Sequence, residues 1–535
     1  MKRYIKSLIP AAALLVSFGT TSCTGDLDVT PIDPNFVEVT PEALFTKCYA
    51  TMAAAGNGGA DGDSDVDGID GGTSGYYRQM WNAQVLTSDE AVCGWGDEGI
   101  PEYSRATFDA SHPMLRGYYY RLYTAIAFCN QYLQDYSDYD ATMTAEIRFL
   151  RAFHYYNLLD GWGNVPMATS VSSVKPSQAS RQEVFDFVQK ELLELEPNLS
   201  EAKAKNSSDA NYGRVDKAAA WMLLARLYLN AKVYTGVEMN DKAAEYAKKV
   251  IDSSYKLNTQ GVGVWTAYQM LFMGNNGETE AAKEIVWPLL QDGQRTTSWG
   301  TSLFLIASTF DGDMHENPND EGATNNCGSQ QWGGNRATSQ LVEKFITDAP
   351  TGLRGFEMRQ VAGDDRAMFN SVGRDLYNEE EGVFKSGYAV AKFNNFYSDG
   401  SVAHDATHPD MDCPVFRVGE AYLIYAEALT RAAGGNGPSA AVDAINKLRL
   451  RAHASTVSKV DLNFLCDEWS REMYFEAVRR STLIRFNRFA GEVNYNWDWK
   501  GGTKAGRNLP EYRNLFAIPT TDLTANNNLV QNPGY

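Results

Sequence analysis

Residues 213–230 read GRVDKAAAWMLLARLYLN, and this stretch carries the clearest signature of a fold in the chain. Trp221, Leu224, Ala225 and Tyr228 follow the W-x2-L-[GA]-x2-Y spacing of the first helix of a tetratricopeptide repeat. The small residue at the third position lets a neighbouring helix approach closely. The stretch therefore predicts a helix that packs against others in a helical repeat.

Weaker copies of the same spacing occur at residues 148–155 and 422–429. Amphipathic runs at residues 118–136, 242–251 and 440–450 accompany the three copies, so each copy has a candidate partner helix. The copies are irregularly spaced along the chain. We therefore predict a mainly α scaffold of stacked helix pairs that is interrupted by long insertions.

The insertions at residues 56–77, 95–108, 258–334 and 369–412 are rich in Gly, Asn, Asp and aromatic residues and show little helical periodicity. Aromatic residues make up 12% of the chain, and 29 residues are Tyr, which is more than a helical core needs. Loops held by a rigid scaffold commonly carry binding residues. We expect the ligand site in these insertions.

The N-terminus has the pattern of a secretory signal over residues 1–22, with a basic start, an apolar stretch and small residues before Cys23. A small-residue run that ends in Cys predicts a lipobox, although simple secretion is the alternative. Because no later run approaches the roughly 18 apolar residues of a spanning helix, we expect lipid anchoring at Cys23. Residues 23–535 show no boundary that would divide them and are predicted to form a single domain.

Charge and cysteine content exclude several classes of function. The net charge of -19 disfavours nucleic acid as a partner and favours neutral ligands. The cysteines after Cys23 are far apart and form no CxxC or Cys/His cluster, which predicts reduced, structural thiols. They are Cys48, Cys93, Cys129, Cys327, Cys413 and Cys466.

Seven further segments resemble, in order, the motifs of the SusD/RagB family of outer-membrane glycan-binding lipoproteins from Bacteroidetes. They are residues 27–31, 145–167, 213–230, 415–430, 444–452, 468–486 and 515–535, the last ending in QNPGY. The resemblance implies a right-handed superhelix of tetratricopeptide-like helix pairs. It also implies a surface-exposed lipoprotein that binds polysaccharide without cleaving it and delivers it to a SusC-like TonB-dependent transporter.

Candidate ligand residues are aromatics in the insertions, because sugars offer apolar faces to aromatic rings and hydroxyl groups to polar side chains. Trp95 lies between two glycines and is followed by Asp97 and Glu98. The resemblance implies a ligand-stacking tryptophan here. Cys93 stands where starch-binding members have a second aromatic residue, and this departure speaks against starch.

Trp299 and Trp332 occupy similar Gly-rich and polar loops and are further ligand candidates. Arg366 and Tyr397, in polar stretches of later loops, complete the predicted ligand set. None of these residues is predicted to be catalytic.

The acidic run at residues 61–70 matches part of a calcium loop, because Asp63, Asp65 and Asp67 are followed by Gly68 in the D-x-D-x-D-G pattern. The twelfth position is Ser74, where an EF-hand has a bidentate Glu. A structural calcium ion, glycan contact by these Asp residues, and a solvated turn all remain open.

Two other classes of function compete with a glycan binder. A glycoside hydrolase needs two carboxyl groups on either side of the sugar bond, and the abundant Asp and Glu do not exclude it. His404 and His408 lie in a loop and do not form a helical zinc motif. A tetratricopeptide adaptor for peptides would use helix faces, whereas the candidate tryptophans lie in loops.

Overall fold

A computed structural model describes residues 39–535 of the chain. The predicted signal peptide and Cys23 lie outside this range. Residues 44–535 form one compact unit, and the N-terminal unit ends at Ala43, within the first described helix.

The described residues are mainly helical, as predicted. The helices are α1 (Pro41–Ala53), α2 (Tyr76–Trp81), α3 (Ile100–Ser104), α4 (Pro113–Asp135), α5 (Ala141–Trp162), α6 (Arg181–Leu195), α7 (Lys217–Leu229), α8 (Ala231–Thr235), α9 (Asn240–Asp252), α10 (Ser302–Ala307), α11 (Ser339–Val342), α12 (Gly355–Ala362), α13 (Val418–Ala432), α14 (Ser439–Arg451), α15 (Leu462–Met473), α16 (Arg479–Arg485) and α17 (Thr520–Ala525). In the part of the chain that is described, no helix is long and apolar enough to cross a membrane.

The helices pack in the pairs that the sequence predicts. Helix α7 contains the whole tetratricopeptide frame and begins at Asp216, whose carboxylate accepts a hydrogen bond from the Ala218 amide at 2.9 Å. Helix α7 packs on α9, α9 packs on α13, and α13 packs on α14, while α4, α5 and α6 form a second packed series. The prediction of a helical-repeat scaffold is confirmed.

The described residues also form four small antiparallel sheets of two strands each. Their strands are β1 (Ala91–Cys93), β2 (Val165–Pro166), β3 (Gln178–Ala179), β4 (Ile285–Leu289), β5 (Asn335–Ala337), β6 (Phe369–Asn370), β7 (Ala389–Val390) and β8 (Cys413–Arg417). The pairs are β1 with β5, β2 with β3, β4 with β8, and β6 with β7. The β1–β5 and β4–β8 pairs join segments that are more than a hundred residues apart in sequence.

The C-terminal tail closes over the end of α5. The Trp162 ring is fully buried, and its Nε1 donates to the Ala517 carbonyl at 2.8 Å. The Asn532 side-chain amide donates to the Trp162 and Phe516 carbonyls, each at 2.8 Å. The tail therefore satisfies carbonyl groups that the end of α5 leaves without a partner in the helix.

A buried network of charged side chains joins the last part of the chain to its middle. Glu468 and Glu472 lie one turn apart on α15, and Glu476 follows the helix. Glu472 pairs with Arg417 at 2.6 Å and with Arg451, while Glu476 pairs with Arg417 at 2.7 Å. All of these side chains are removed from solvent, so each charge is neutralised by the others.

The electrostatic effect of the network is large at Glu472. Burial alone would raise the pKa of this carboxyl, but the charges of Arg451, Arg417 and Arg366 outweigh burial and lower the pKa to about 2. Glu472 therefore stays ionised at the pH of any ordinary environment. Its loss would remove a negative charge that Arg366, Arg417 and Arg451 share.

We expect Glu472→Ala to lower the free energy of unfolding by about 3–5 kcal/mol, because it removes a buried charge that three buried arginines share and leaves some of their donors unsatisfied. Urea unfolding of the purified variant measures the change. Glu245→Ala is the matched control, since Glu245 is an exposed glutamate that pairs with Lys249 on the surface of α9; it should change stability by no more than about 0.5 kcal/mol. Equal effects of the two substitutions would contradict a structural role for the network.

Candidate ligand-binding site

A surface recess of about 610 Å³ is lined by three tryptophans, Trp95, Trp299 and Trp332. We call it the tryptophan recess. Residues 60–73 form another side of it. Three of the four insertions that the sequence analysis marked therefore meet at one place, and the three predicted tryptophans lie together in it.

Strand pairing brings Trp95 next to Trp332. Strands β1 and β5 pair in the register Cys93 with Asn335, and the next amide, of Gly94, donates to the Gly334 carbonyl at 3.0 Å. The Trp95 Nε1 then donates to the Trp332 carbonyl at 3.3 Å. Hydrogen bonds to backbone thus fix the Trp95 ring.

Two glycines make room for the rings. A Cβ atom on Gly334 would lie 2.2 Å from Cε2 of Trp95, so the ring occupies the space that any side chain would need. A Cβ atom on Gly72 would lie 3.0 Å from Cβ of Trp299. The ring positions therefore depend on these two residues having no side chain.

The three rings are close together and are not coplanar. The ring centroids of Trp95 and Trp332 are 6.3 Å apart with an interplanar angle of 51°. The centroids of Trp332 and Trp299 are 6.4 Å apart with an angle of 41°. Behind Trp299, the His408 ring packs at 4.9 Å. Successive rings are thus tilted relative to one another and do not make a flat platform.

Arg78 lies beneath Trp95 and was not among the residues selected from the sequence. Its guanidinium carbon lies 5.6 Å from the centroid of the Trp95 ring, and the side chain lines the recess although the residue is only 9% exposed. Within the described residues, its Nε atom is buried and has no hydrogen-bond partner. Arg78 therefore places a mostly buried guanidinium group in the lining of the recess. The signal in the sequence was a lone arginine in the otherwise uncharged helix α2, YYRQMW.

Asp70 and Asp97 add carboxylates at the edge of the recess. The Thr73 amide donates to Oδ1 of Asp70 at 3.0 Å. Burial alone would raise the pKa of Asp70, but the hydrogen bonds from Thr73 and the charge of Arg78 outweigh it and lower this pKa. Asp70 is therefore an ionised acceptor. The recess combines aromatic faces with hydrogen-bonding groups at its edges, which is the arrangement that binds neutral sugars.

Three residues of the predicted ligand set lie elsewhere. Glu98 is exposed and does not line the recess. Arg366 is fully buried, and its guanidinium is bound to Asp364 at 2.8 Å and Glu468 at 2.9 Å. The Tyr397 hydroxyl donates to Asp410 at 3.0 Å. The polar groups of Arg366 and Tyr397 bind buried carboxylates, and Glu98 does not line the recess. We therefore do not retain these three residues in the site.

The position of Cys93 in the structure bears on the argument against starch that the sequence suggested. It lies in strand β1 and is 3% exposed, so its side chain contributes nothing to the lining of the recess. All six cysteines of the described region are free and buried.

The acidic loop does not bring its predicted calcium ligands together. Asp65 pairs with Lys47 at 2.8 Å, whereas Asp63 and Asp67 are exposed. A calcium ion in this loop stays a prediction, and binding would require Asp65 to exchange Lys47 for the ion.

Within residues 39–535, a different group has the geometry to hold a metal ion. Ligand atoms of Asp292, His404 and Asp410 lie within 4.8 Å of one another, and the His404 Nδ1 is 3.0 Å from Oδ1 of Asp410. A hydrogen bond between His404 and Asp410 accounts equally for that distance.

Comparisons with known proteins are consistent along the length of the chain. The model of the SusD family matches residues 283–535. The chain is 38% identical to the starch-binding protein SusD of Bacteroides thetaiotaomicron over 100% of this chain and 99% of that protein. It is 23% identical to SusD-like protein P2 of Formosa agariphila over the whole of both chains.

Solved structures share the fold. A laminarin-binding SusD-like protein aligns with a TM-score of 0.65 and 21% identity, covering 93% of this chain and 99% of that one. Surface glycan-binding protein A from Bacteroides fluxus aligns with a TM-score of 0.65 and 19% identity, covering 93% and 100%.

Gly334→Ala should displace the Trp95 ring, because the new Cβ atom would overlap it. We expect a shift in tryptophan fluorescence and a loss of sugar affinity of roughly tenfold or more, which corresponds to about 1.4 kcal/mol. Gly96→Ala is the matched control, since nothing lies within 4 Å of a Cβ atom built there. Shifted fluorescence with unchanged affinity in Gly334→Ala would show that the ring position does not matter for binding.

Proposed function

The chain belongs to the SusD family, and from this premise we propose that it is a cell-surface glycan-binding protein that captures polysaccharide in the tryptophan recess. The observation that carries the proposal is the meeting of Trp95, Trp299 and Trp332 in one recess beside Arg78 and Asp70. The family implies that the captured glycan passes to a SusC-like TonB-dependent transporter. The 38% identity to a starch-binding protein over the full chain supports the same class of ligand.

The tilt of the rings points to a class of glycan. Adjacent rings are inclined to each other by 51° and 41°. A flat, ribbon-like glycan would contact one of these rings and leave the others, whereas a chain that curves can lay successive sugar faces on all three. We therefore propose a curved glucan such as starch as the ligand. Since Cys93 lies outside the recess, its replacement of an aromatic residue is no argument against starch.

Binding without cleavage is part of the proposal. Hydrolysis of a glycosidic bond needs a carboxylic acid of raised pKa beside the bond. Burial raises the pKa of Glu90, Glu316 and Asp412 to about 7, yet all three are buried and none lines the recess. Asp70, one of the two carboxyls that line the recess, has a lowered pKa. This arrangement supports a binding protein.

The proposed location is the outer face of the outer membrane, with a lipid on Cys23 as the anchor. The lipobox pattern in the sequence supports this anchor. The described residues add only that none of their helices could cross a membrane.

We expect amylose and other curved glucans to retard the protein in affinity electrophoresis, and cello-oligosaccharides to bind far more weakly. Trp95→Ala and Trp332→Ala should each weaken binding by about 30-fold, since truncation of a buried tryptophan anchor costs about 2 kcal/mol. Tyr139→Ala, an exposed aromatic at 54%, is the control and should bind like the wild type.

Reducing-end assays on the same mixtures test turnover and should stay flat. Sustained release of sugar by the pure protein would favour the hydrolase. A large fall in melting temperature in Trp95→Ala, with unchanged affinity of the folded fraction, would show that Trp95 belongs to the scaffold.

Cys23→Ala should release the protein from the membrane, because the substitution removes the residue that carries the proposed lipid anchor. Fractionation of cells that express the full-length chain measures this. Recovery of the variant in the outer membrane at the wild-type level would contradict the lipid anchor.

A further inference from the structure

One wall of the tryptophan recess is built by a loop with little apolar surface of its own. Residues 55–74, which we call the wall loop, lie between α1 and α2 and are rich in glycine and aspartate. Val66 and Ile69 are the only large apolar residues in this stretch of sequence. Because a glycine-rich segment loses much conformational entropy when it is ordered, contacts with the rest of the protein must hold the wall loop in place.

Arg121 of α4 holds both ends of the wall loop. Its side chain is fully buried, and its Nε donates to the Ser74 carbonyl at 3.1 Å. One terminal nitrogen donates to the Ala55 carbonyl at 3.1 Å and to the Ser74 and Ser64 hydroxyl groups at 2.9 and 3.2 Å. Burial lowers the pKa of Arg121 to about 10, so the guanidinium group stays protonated at neutral pH. The planar fork of the guanidinium group therefore closes the loop at its base.

Lys47 of α1 holds the middle of the wall loop. Its ammonium group donates to Oδ2 of Asp65 at 2.8 Å and to Oδ1 of Asn57 at 2.6 Å. The Asp65 amide in turn donates to the Ala55 carbonyl at 2.9 Å, so the carbonyl that binds Arg121 also binds the backbone of the loop. Two cations from two helices thus bind the loop at its base and in its middle.

Further along the loop, neighbouring residues contact the scaffold and the recess in turn. The Ile69 side chain packs on Gly117 of α4, where a Cβ atom would lie 2.8 Å from Cδ1 of Ile69. The next residue, Asp70, lines the recess, and Gly72 lies against Trp299. The position of the wall loop on α4 therefore determines where Asp70 and Gly72 meet the recess.

We propose that Arg121 and Lys47 are positioning residues for glycan binding, which hold the wall loop in its binding position before a glycan arrives. The proposal rests on the proposed function, because it takes the tryptophan recess as the glycan site. Neither residue lines the recess, so both act through the loop and not by contact with the glycan. A preformed wall removes the entropy cost of ordering the loop from the binding step, and affinity is higher as a result.

Hydrogen–deuterium exchange of the full-length protein without ligand tests whether the wall is preformed. In the wild type we expect slow exchange at the Asp65 and Ser74 amides, whose hydrogen bonds lie within the loop, and little further change when maltoheptaose is added. Arg121→Lys keeps the charge but loses the fork, and Lys47→Met loses the charge, so both should speed exchange across residues 55–74. Fast exchange in the wild type, with protection only on addition of maltoheptaose, would overturn the proposal.

Two substitutions elsewhere in the scaffold are matched controls. Arg480→Lys alters another fully buried arginine that donates to two backbone carbonyls, those of residues 513 and 514, at 3.2 and 2.9 Å. Lys217→Met removes a lysine that is exposed to the same degree as Lys47 and pairs with Glu201. Both controls should leave exchange in the wall loop at the wild-type rate.

Affinity for maltoheptaose gives a second readout. Arg121→Lys and Lys47→Met should each weaken binding by roughly tenfold, because the wall must then be ordered in every binding event, whereas the controls should bind like the wild type. Melting temperatures separate positioning from stability, since Arg121→Lys and Arg480→Lys both disturb a buried arginine. If Arg121→Lys does not fold, Lys47→Met carries both readouts, because its site is partly exposed. Variants that bind as tightly as their controls would overturn the proposal.

The outcomes separate this proposal from the proposed function. If the wild type binds maltoheptaose and the two variants exchange at the wild-type rate, the positioning role alone is overturned. If the wild type binds no glucan but the wall loop exchanges faster in both variants, the result supports the role of the two cations in holding the wall and leaves only the proposed function overturned.

Discussion

The fold depends above all on the ionised carboxylate of Glu472 inside the protein. A buried charge of this kind is tolerated only when its partners are in place. Arg366 comes from a loop, Arg417 from the end of β8 and Arg451 from the end of α14, so one side chain on α15 collects three separate parts of the chain. The arginines in turn hold Glu284, which precedes β4. These long-range pairings define where the irregular insertions must lie on the helical scaffold.

The positions of the site residues depend on these buried ion pairs. Strand β4 pairs with β8, and the loop that carries Trp299 follows β4 within the same insertion. Strand β1 follows α2, which carries Arg78, and its pairing with β5 sets Trp95 against Trp332. The three tryptophans lie on loops, and the helices and sheets fix where those loops begin and end. Rigid elements thus place groups that lie on loops.

The sequence alone predicted the helical scaffold and the three tryptophans, because helix periodicity and glycine-flanked aromatic residues are local signals. It misplaced Arg366, which looked like a polar loop residue because its partner Glu468 is 102 positions away. It did not identify Arg78, because the short helix α2 has too few residues to show which of its sides faces a cavity. Each failure concerns a contact between distant parts of the chain, about which a local pattern carries no information.

The hydrogen bonds of the tryptophan N–H groups have a consequence for how a polymer would occupy the recess. Trp95 donates to the Trp332 carbonyl, and Trp332 donates to the Gln330 side chain at 2.8 Å. These two rings therefore present faces without a donor that would single out one hydroxyl. A glucan chain meets the same faces each time it advances by one sugar, so a long chain has many equivalent registers on the surface. Because the number of registers grows with chain length, polymers have a statistical advantage in binding over oligomers. A bound chain can also move lengthwise from one register to the next without leaving the protein.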